Sequence, residues 1–129
     1  MTRYVILEHT WNGVHWDLML ESGNALRTWA MESLPTEPNV WHPARPLVDH
    51  RLAYLDYEGA ISGDRGAVRR IDWGVYRLID EQPDRLLIEF NGELFRGTAE
   101  LAADPDCLGS MRIRFRTEPQ SEPIVDQRV

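Results

Sequence analysis

Cysteine, lysine and long apolar runs are scarce or missing in this sequence of 129 residues. The single cysteine, Cys107, excludes an internal disulfide and a zinc cluster built from cysteines. No apolar run approaches the length of a membrane span, so no membrane partner is expected. The first residues, MTRYVILEH, are typical of a strand and lack a signal-peptide cleavage site. We therefore expect a cytoplasmic protein.

Positive charge is also in short supply. All 14 basic residues are arginine, and 21 acidic residues bring the net charge to −7. This balance argues against a protein that coats nucleic acid non-specifically, because phosphate contacts need a basic face. A small pocket that grips one phosphate stays open, since arginine suits that task better than lysine. Genomic base composition is the simpler explanation for the exclusive use of arginine.

A sustained helical period is missing as well, and short strand-like runs separated by turn residues fill the chain instead. Residues 67–80 look like two strands about Gly74, residues 51–59 could form one helical turn or a bend, and residues 85–101 are typical of a hairpin. The pattern predicts an all-β fold, a small antiparallel β-barrel or curled sandwich with at most short helical turns. We expect one domain over residues 1–116 and a disordered tail over 117–129.

Chemically active side chains concentrate in HTWNGVHWDLMLE, residues 9–21. Alternation along an extended strand places His15, Asp17 and Met19 on one face, opposite apolar side chains that would pack on a core. An imidazole and a carboxylate two residues apart are separated by roughly 6–7 Å along the strand, so both can converge on one ion.

The position of His9 depends on the turn that follows it. A two-residue loop of Asn12 and Gly13 would put His9 on the wrong face. A three-residue loop beginning at Trp11, with Gly13 left-handed, pairs His9 directly with His15. Opposed residues have Cβ atoms about 4.5–5.5 Å apart, which suits two ligands of one metal. Two histidines and a carboxylate form an open site for a divalent transition metal, and the alternative is a merely solvated polar face.

Three blocks carry a resemblance to a known family. The first is His9, five residues, His15, then Asp17 and Glu21; the second is LRTW at 26–29; the third is VDHRLAYLDYEG at 48–59. In this order and spacing they resemble the 3′-phosphoesterase domain of bacterial DNA ligase D, also called the DNA polymerase/ligase N-terminal domain. The similarity extends over roughly residues 3 to 116.

The resemblance implies a small β-barrel enzyme that heals DNA 3′ ends in repair by non-homologous end joining. It implies removal of a 3′-phosphate, and of a 3′-terminal ribonucleotide in steps, from a primer-template. The implied cofactor is a divalent metal ion, manganese, with zinc or cobalt as alternatives. A ligase or polymerase partner would act in trans, because this chain carries no such module.

Roles can be carried over residue by residue from the same resemblance. The implied metal ligands are His9, His15 and Asp17. The implied catalytic residues are His50 and Tyr54, which match family residues acting at the phosphate, and Arg27, which stands where the family has a functional lysine.

Met19 departs from the family pattern, which has an arginine that would clamp the scissile phosphate at this position. A thioether cannot do so, and Arg27 is the candidate replacement. If SGNA turns with a three-residue loop, Arg27 comes opposite Glu21 on the site face. Looser candidates are Arg65, Arg69 and Arg70. We therefore expect a weak phosphoesterase that depends on Arg27. The alternative is a catalytically weak or inactive metal-containing module that binds DNA ends or a repair partner.

Overall fold

Runs of alternating and continuous apolar residues organise the chain into antiparallel strands. A computed structural model describes residues 2–116, so the tail predicted over 117–129 lies outside the described residues. The strands of the described part are β1 (Thr2–Thr10), β2 (Val14–Ser22), β3 (Ala25–Met31), β4 (His42–Arg51), β5 (Gly59–Ala60), β6 (Ala67–Gln82), β7 (Arg85–Gly92), β8 (Arg96–Ala103) and β9 (Met111–Phe115). A 3₁₀ helix, Leu52–Leu55, supplies the short helical turn. No described helix has the length and apolar character needed to cross a membrane.

Eight of these strands close into an antiparallel barrel. Their order is β1-β2-β3-β4-β9-β8-β7-β6, and pairing between β1 and β6 seals the ring. Strand β5 lies beside the start of β6. The β4–β9 seam is short, with two residue pairs, His42 with Ile113 and Pro43 with Arg112. The predicted all-β barrel is confirmed.

Strand β6 corrects one expectation. The sequence predicts two strands about Gly74, but the chain runs through that glycine as one strand of 16 residues. Residues up to Tyr76 pair with β1, and residues from Gly74 onward pair with β7. A Cβ on Gly74 would lie only 2.3 Å from the Asn91 carbonyl oxygen. Glycine therefore permits the close approach of β7 and does not mark a turn.

Apolar side chains pack on both faces of β1, β2 and β3. The barrel interior holds the main core, which includes Tyr4, Ile6, Leu18, Leu20, Trp29, Ile88, Phe90 and Leu101. A second group, called the outer cluster below, packs on the other face and consists of Val5, Leu7, Met19, Leu26, Leu55 and Val68. Because this wall is apolar on both sides, the run YVIL in β1 shows no alternation.

Asp72 is a fully buried carboxylate that ties the β7–β8 turn to the barrel. It accepts hydrogen bonds from the Tyr4 hydroxyl, from the Leu94 amide at 2.7 Å and from the Phe95 amide at 3.2 Å. Burial, and the hydrogen bond to Asp72, raise the pKa of Tyr4, which stays protonated as the donor. These bonds satisfy a polar group that would otherwise be costly to bury.

Glu100 forms an ion-pair network on the outer surface of β7, β8 and β9. Arg85 Nε donates to it at 2.7 Å and Arg114 Nη2 at 3.0 Å. Partial burial disfavours the carboxylate, but the hydrogen bonds from the two arginines outweigh burial, and the pKa of Glu100 is lowered. The network joins three neighbouring strands.

Candidate metal centre and active site

The first hairpin brings two histidines together. The β1–β2 register pairs His9 with His15 and leaves a three-residue loop from Trp11 to Gly13. Gly13 has φ 110°, a conformation that glycine adopts without the strain a Cβ would bring. The three-residue turn is therefore confirmed, and the two imidazole centroids lie 4.8 Å apart.

Alternation along β2 brings Asp17 to the same place. Its Oδ1 lies 3.1 Å from His15 Nε2, and its Oδ2 lies 3.8 Å from His9 Nδ1. One ligand atom from each of the three residues falls within 4.8 Å of the others. Asp17 is only 3% exposed, so its carboxylate is not a solvated surface group. Burial raises the pKa of the Asp17 carboxyl, although the imidazoles of His15, His9 and His50 act in the opposite direction.

The bonding of this triad fits a divalent cation. Asp17 Oδ1 is buried and forms no hydrogen bond among the described residues, although His15 Nε2 lies 3.1 Å away. His9 Nε2–H donates to the Arg65 carbonyl at 2.8 Å, which leaves Nδ1 free on the side of Asp17. Metal-binding histidines commonly have such a partner on the second ring nitrogen. The three residues could therefore hold a metal, whose charge would offset the burial of the carboxylate.

His50 reaches the same cavity because of a β-bulge in β4, and Tyr54 lines it from the 3₁₀ helix that follows. His50 pairs with Leu26 and Leu47 pairs with Thr28, so β4 has one more residue than β3 in this interval. The extra residue returns His50 to the face that Leu47 occupies. His50 Nδ1–H donates to the Val48 carbonyl at 2.9 Å, and its ring meets Tyr54 edge-on with centroids 5.8 Å apart.

An open cavity of about 460 Å³ joins these groups. Five of the six site residues predicted from the sequence line it, namely His9, His15, Asp17, His50 and Tyr54. Met19 also lines it, as expected for a neighbour of Asp17 on β2, but its side chain is 1% exposed and belongs to the outer cluster.

Arg27 lies elsewhere, and the predicted register was wrong. Ser22 pairs with Ala25, so the β2–β3 turn has two residues, with Gly23 at φ 63°. Arg27 therefore pairs with Leu20 instead of Glu21, and a shift of one residue moves a side chain to the opposite face of the sheet. There it lies over Trp29, 5.4 Å from the ring centroid, and pairs with Glu81 at 3.4 Å.

Arg45 is a cavity residue that the sequence did not reveal. The register places Asp17, Ala30 and Arg45 in one row across β2, β3 and β4. Two strand spacings separate Arg45 from Asp17, about 10 Å, which a guanidinium can span above the small Ala30 side chain. Within residues 2–116, Arg45 forms no hydrogen bond or ion pair, and it lines the cavity. Only knowledge of the β4 register could have identified it.

Of the three looser arginine candidates, one lines the cavity and two do not. Arg65 lines the cavity, with its Nε donating to the Ser62 carbonyl at 2.7 Å. Arg69 pairs with Glu8 at 2.9 Å, and Arg70 lies over the Trp73 ring. Neither Arg69 nor Arg70 lines the cavity.

A known protein family matches most of this chain. A family model described as the DNA Ligase D 3′-phosphoesterase domain matches residues 7–103, a range that includes the metal-binding candidates, His50 and Tyr54. The chain belongs to this family. The resemblance drawn from the three sequence blocks is thereby confirmed.

Curated relatives of this phosphoesterase-domain chain are much longer proteins. The multifunctional non-homologous end joining DNA repair protein LigD of Mycobacterium tuberculosis is 42% identical over 72 residues, which cover 54% of this chain and 10% of that protein. The multifunctional non-homologous end joining protein LigD of Pseudomonas aeruginosa is 33% identical over 90 residues, which cover 67% of this chain and 11% of that protein. This chain thus spans about a tenth of the length of these relatives.

Proposed function

We propose that this chain is a metal-dependent 3′-phosphoesterase that heals DNA 3′ ends in non-homologous end joining. One observation carries the proposal: a single cavity brings a buried carboxylate and two histidines together with His50 and Tyr54. Membership of the DNA ligase D 3′-phosphoesterase domain family supports the reaction type. The substrate would be a 3′-phosphate or 3′-terminal ribonucleotide on a primer-template, and a ligase or polymerase would be the partner.

His9, His15 and Asp17 would hold the ion, manganese in this proposal, with zinc or cobalt as alternatives. A divalent ion supplies a Lewis acid at a phosphoryl oxygen and makes water nucleophilic near neutral pH. The His9 imidazole is oriented by the Arg65 carbonyl, and three protein ligands leave room for a phosphoryl oxygen.

His50 is the proposed proton donor. Because its Nδ1–H is engaged by the Val48 carbonyl, Nε2 is the nitrogen available to the phosphoryl group or the leaving 3′ oxygen. His50 would donate from Nε2 in its doubly protonated form, and the neutral imidazole would remain after the transfer. The Tyr54 ring lies edge-on to the imidazole and could orient it. Proton transfer by a positioned side chain contributes roughly 100- to 10,000-fold to a rate.

Arg45 is the proposed phosphate clamp in place of the family arginine that Met19 replaces. It lies on the site face in the row of Asp17 and has no partner among the described residues. A charge-assisted hydrogen bond to phosphate contributes about 1.5–3 kcal/mol, which corresponds to about 10- to 150-fold in rate.

The test is release of phosphate from a 3′-phosphate primer-template with manganese. Wild type should turn over, His15→Ala should not, and Arg45→Ala should lose about 10- to 150-fold in kcat/KM. Arg27→Ala is the matched control, since it removes an arginine outside the cavity and should keep wild-type turnover. Absence of manganese-dependent turnover in the wild type would overturn the proposed reaction.

A second candidate function is a metal-containing module that binds DNA ends without hydrolysing them. It is favoured by the burial of the Met19 thioether where the family has a cation. A wild type that binds manganese and DNA 3′ ends without phosphate release would select this alternative.

A further inference from the structure

Trp11 is an exposed aromatic residue at the mouth of the cavity. It is 44% exposed and lines the cavity beside His9. Its ring is stacked on the His9 imidazole, with centroids 6.1 Å apart and planes 21° from parallel. Its amide donates to the Gly13 carbonyl at 2.9 Å. The hydrogen bond fixes the backbone of Trp11 in the turn, and the indole lies against a residue of the proposed metal site.

The other exposed tryptophan, Trp73, differs from Trp11 because an arginine covers its ring. Trp73 is 38% exposed, but the Arg70 guanidinium lies over its ring at 4.4 Å. Trp29 and Trp41 also lie under arginines. Within residues 2–116, no arginine lies over Trp11. Its stacking with His9 accounts for one face, and the exposed remainder borders the cavity.

We propose that Trp11 is a stacking platform for the nucleobase of the terminal nucleotide whose 3′-phosphate enters the cavity. The His9 imidazole contacts both rings, with its centroid 6.1 Å from that of Trp11 and 4.8 Å from that of His15, so the indole lies within about 11 Å of the His15 imidazole. One nucleotide can span this distance, with its phosphate at the proposed metal site and its base on Trp11. Every base has a π-face, so such a platform accepts all four bases. This inference rests on the proposed function and adds base binding to the same site.

Stacking predicts a selective defect. Base–aromatic stacking is worth about 1–3 kcal/mol per base, equivalent to about 5- to 150-fold in affinity. Trp11→Ala should weaken binding of thymidine 3′-monophosphate by that factor and leave binding of inorganic phosphate unchanged. Trp11→Phe should retain most of the affinity, because a phenyl ring also stacks.

The experiment is calorimetry of the manganese-loaded protein with thymidine 3′-monophosphate and with inorganic phosphate. Trp73→Ala is the matched control and should bind both as the wild type does. A wild type that binds the nucleotide no better than phosphate overturns the platform, as does equal weakening of both ligands in Trp11→Ala. Nucleotide binding does not require turnover, so a wild type that releases no phosphate but shows the selective defect would refute the phosphoesterase proposal and retain the platform.

Discussion

Replacement of Gly66 by alanine should weaken manganese binding although Gly66 contributes no ligand. Gly66 has φ 75°, and a Cβ there would lie 1.8 Å from the Thr10 carbonyl oxygen. The preceding residue, Arg65, provides the carbonyl that accepts the hydrogen bond from His9 Nε2. An added methyl group therefore pushes this loop away from the end of β1 and away from His9.

The size of the effect follows from these distances. Ordinary contact for a Cβ begins at 3.4 Å, so the two backbone segments must separate by roughly 1.6 Å. A hydrogen bond of 2.8 Å between His9 and the Arg65 carbonyl does not survive such a displacement. Loss of the partner that orients a metal-binding histidine typically costs about 10- to 100-fold in metal affinity. We expect that loss in Gly66→Ala.

Isothermal titration with manganese measures the affinity, and thermal unfolding shows that the variant is folded at the titration temperature. Gly23→Ala is the matched control: Gly23 also has positive φ, 63°, but a Cβ there meets nothing within 4 Å. Both substitutions carry a backbone penalty of about 1–2 kcal/mol, and only Gly66→Ala displaces the Arg65 carbonyl. Equal manganese affinity in the two variants would refute the orienting role of that carbonyl.

Three further outcomes are expected. His15→Ala should abolish manganese binding in calorimetry, because two remaining ligands hold a transition metal poorly; unchanged affinity would exclude the site. Tyr4→Phe should lower the free energy of unfolding in urea by about 1.5–3 kcal/mol, since the Asp72 carboxylate loses a buried donor; a loss below about 0.5 kcal/mol would contradict a stabilising role for the Tyr4–Asp72 hydrogen bond. Glu100→Gln should cost about 1 kcal/mol at pH 7. Because folding lowers the pKa of Glu100, its stabilisation is present above the ordinary glutamate pKa of about 4.3 and disappears as the pH falls through the folded-state value. The stability difference between wild type and Glu100→Gln should therefore shrink in acid, and a constant difference would contradict this assignment.

The cluster of His9, His15 and Asp17 was accessible from the sequence because local geometry brings its members together. Period-two alternation places His15 and Asp17 on one face. The predicted three-residue turn pairs His9 with His15, although positive φ at Gly13 would also suit a two-residue turn. The resemblance to the family supplied His50. No spacing rule would have done so, because a bulge in β4 determines which face His50 occupies.

The sequence predictions failed where turn length or tertiary packing determines the position of a residue. A two-residue turn instead of a three-residue turn moved Arg27 to the other face of the sheet. Gly74 was predicted to break the strand. A glycine in a strand-like run can mark a turn or can allow a neighbouring strand to approach closely, and only the position of β7 distinguishes the two. Arg45 enters the site through pairing between β3 and β4, which the sequence of β4 does not encode locally.

The wall that carries the triad is covered by apolar side chains on both sides, with Leu18 in the interior core and Met19 in the outer cluster. Amides in such a wall exchange their hydrogens with solvent only when large parts of the structure open. The candidate ligand atoms would thus keep their spacing before any ion arrives, and binding would not have to order the strands. Ions that prefer a different ligand spacing would gain little from this fixed frame, so the rigidity of the barrel itself would contribute to the choice of metal.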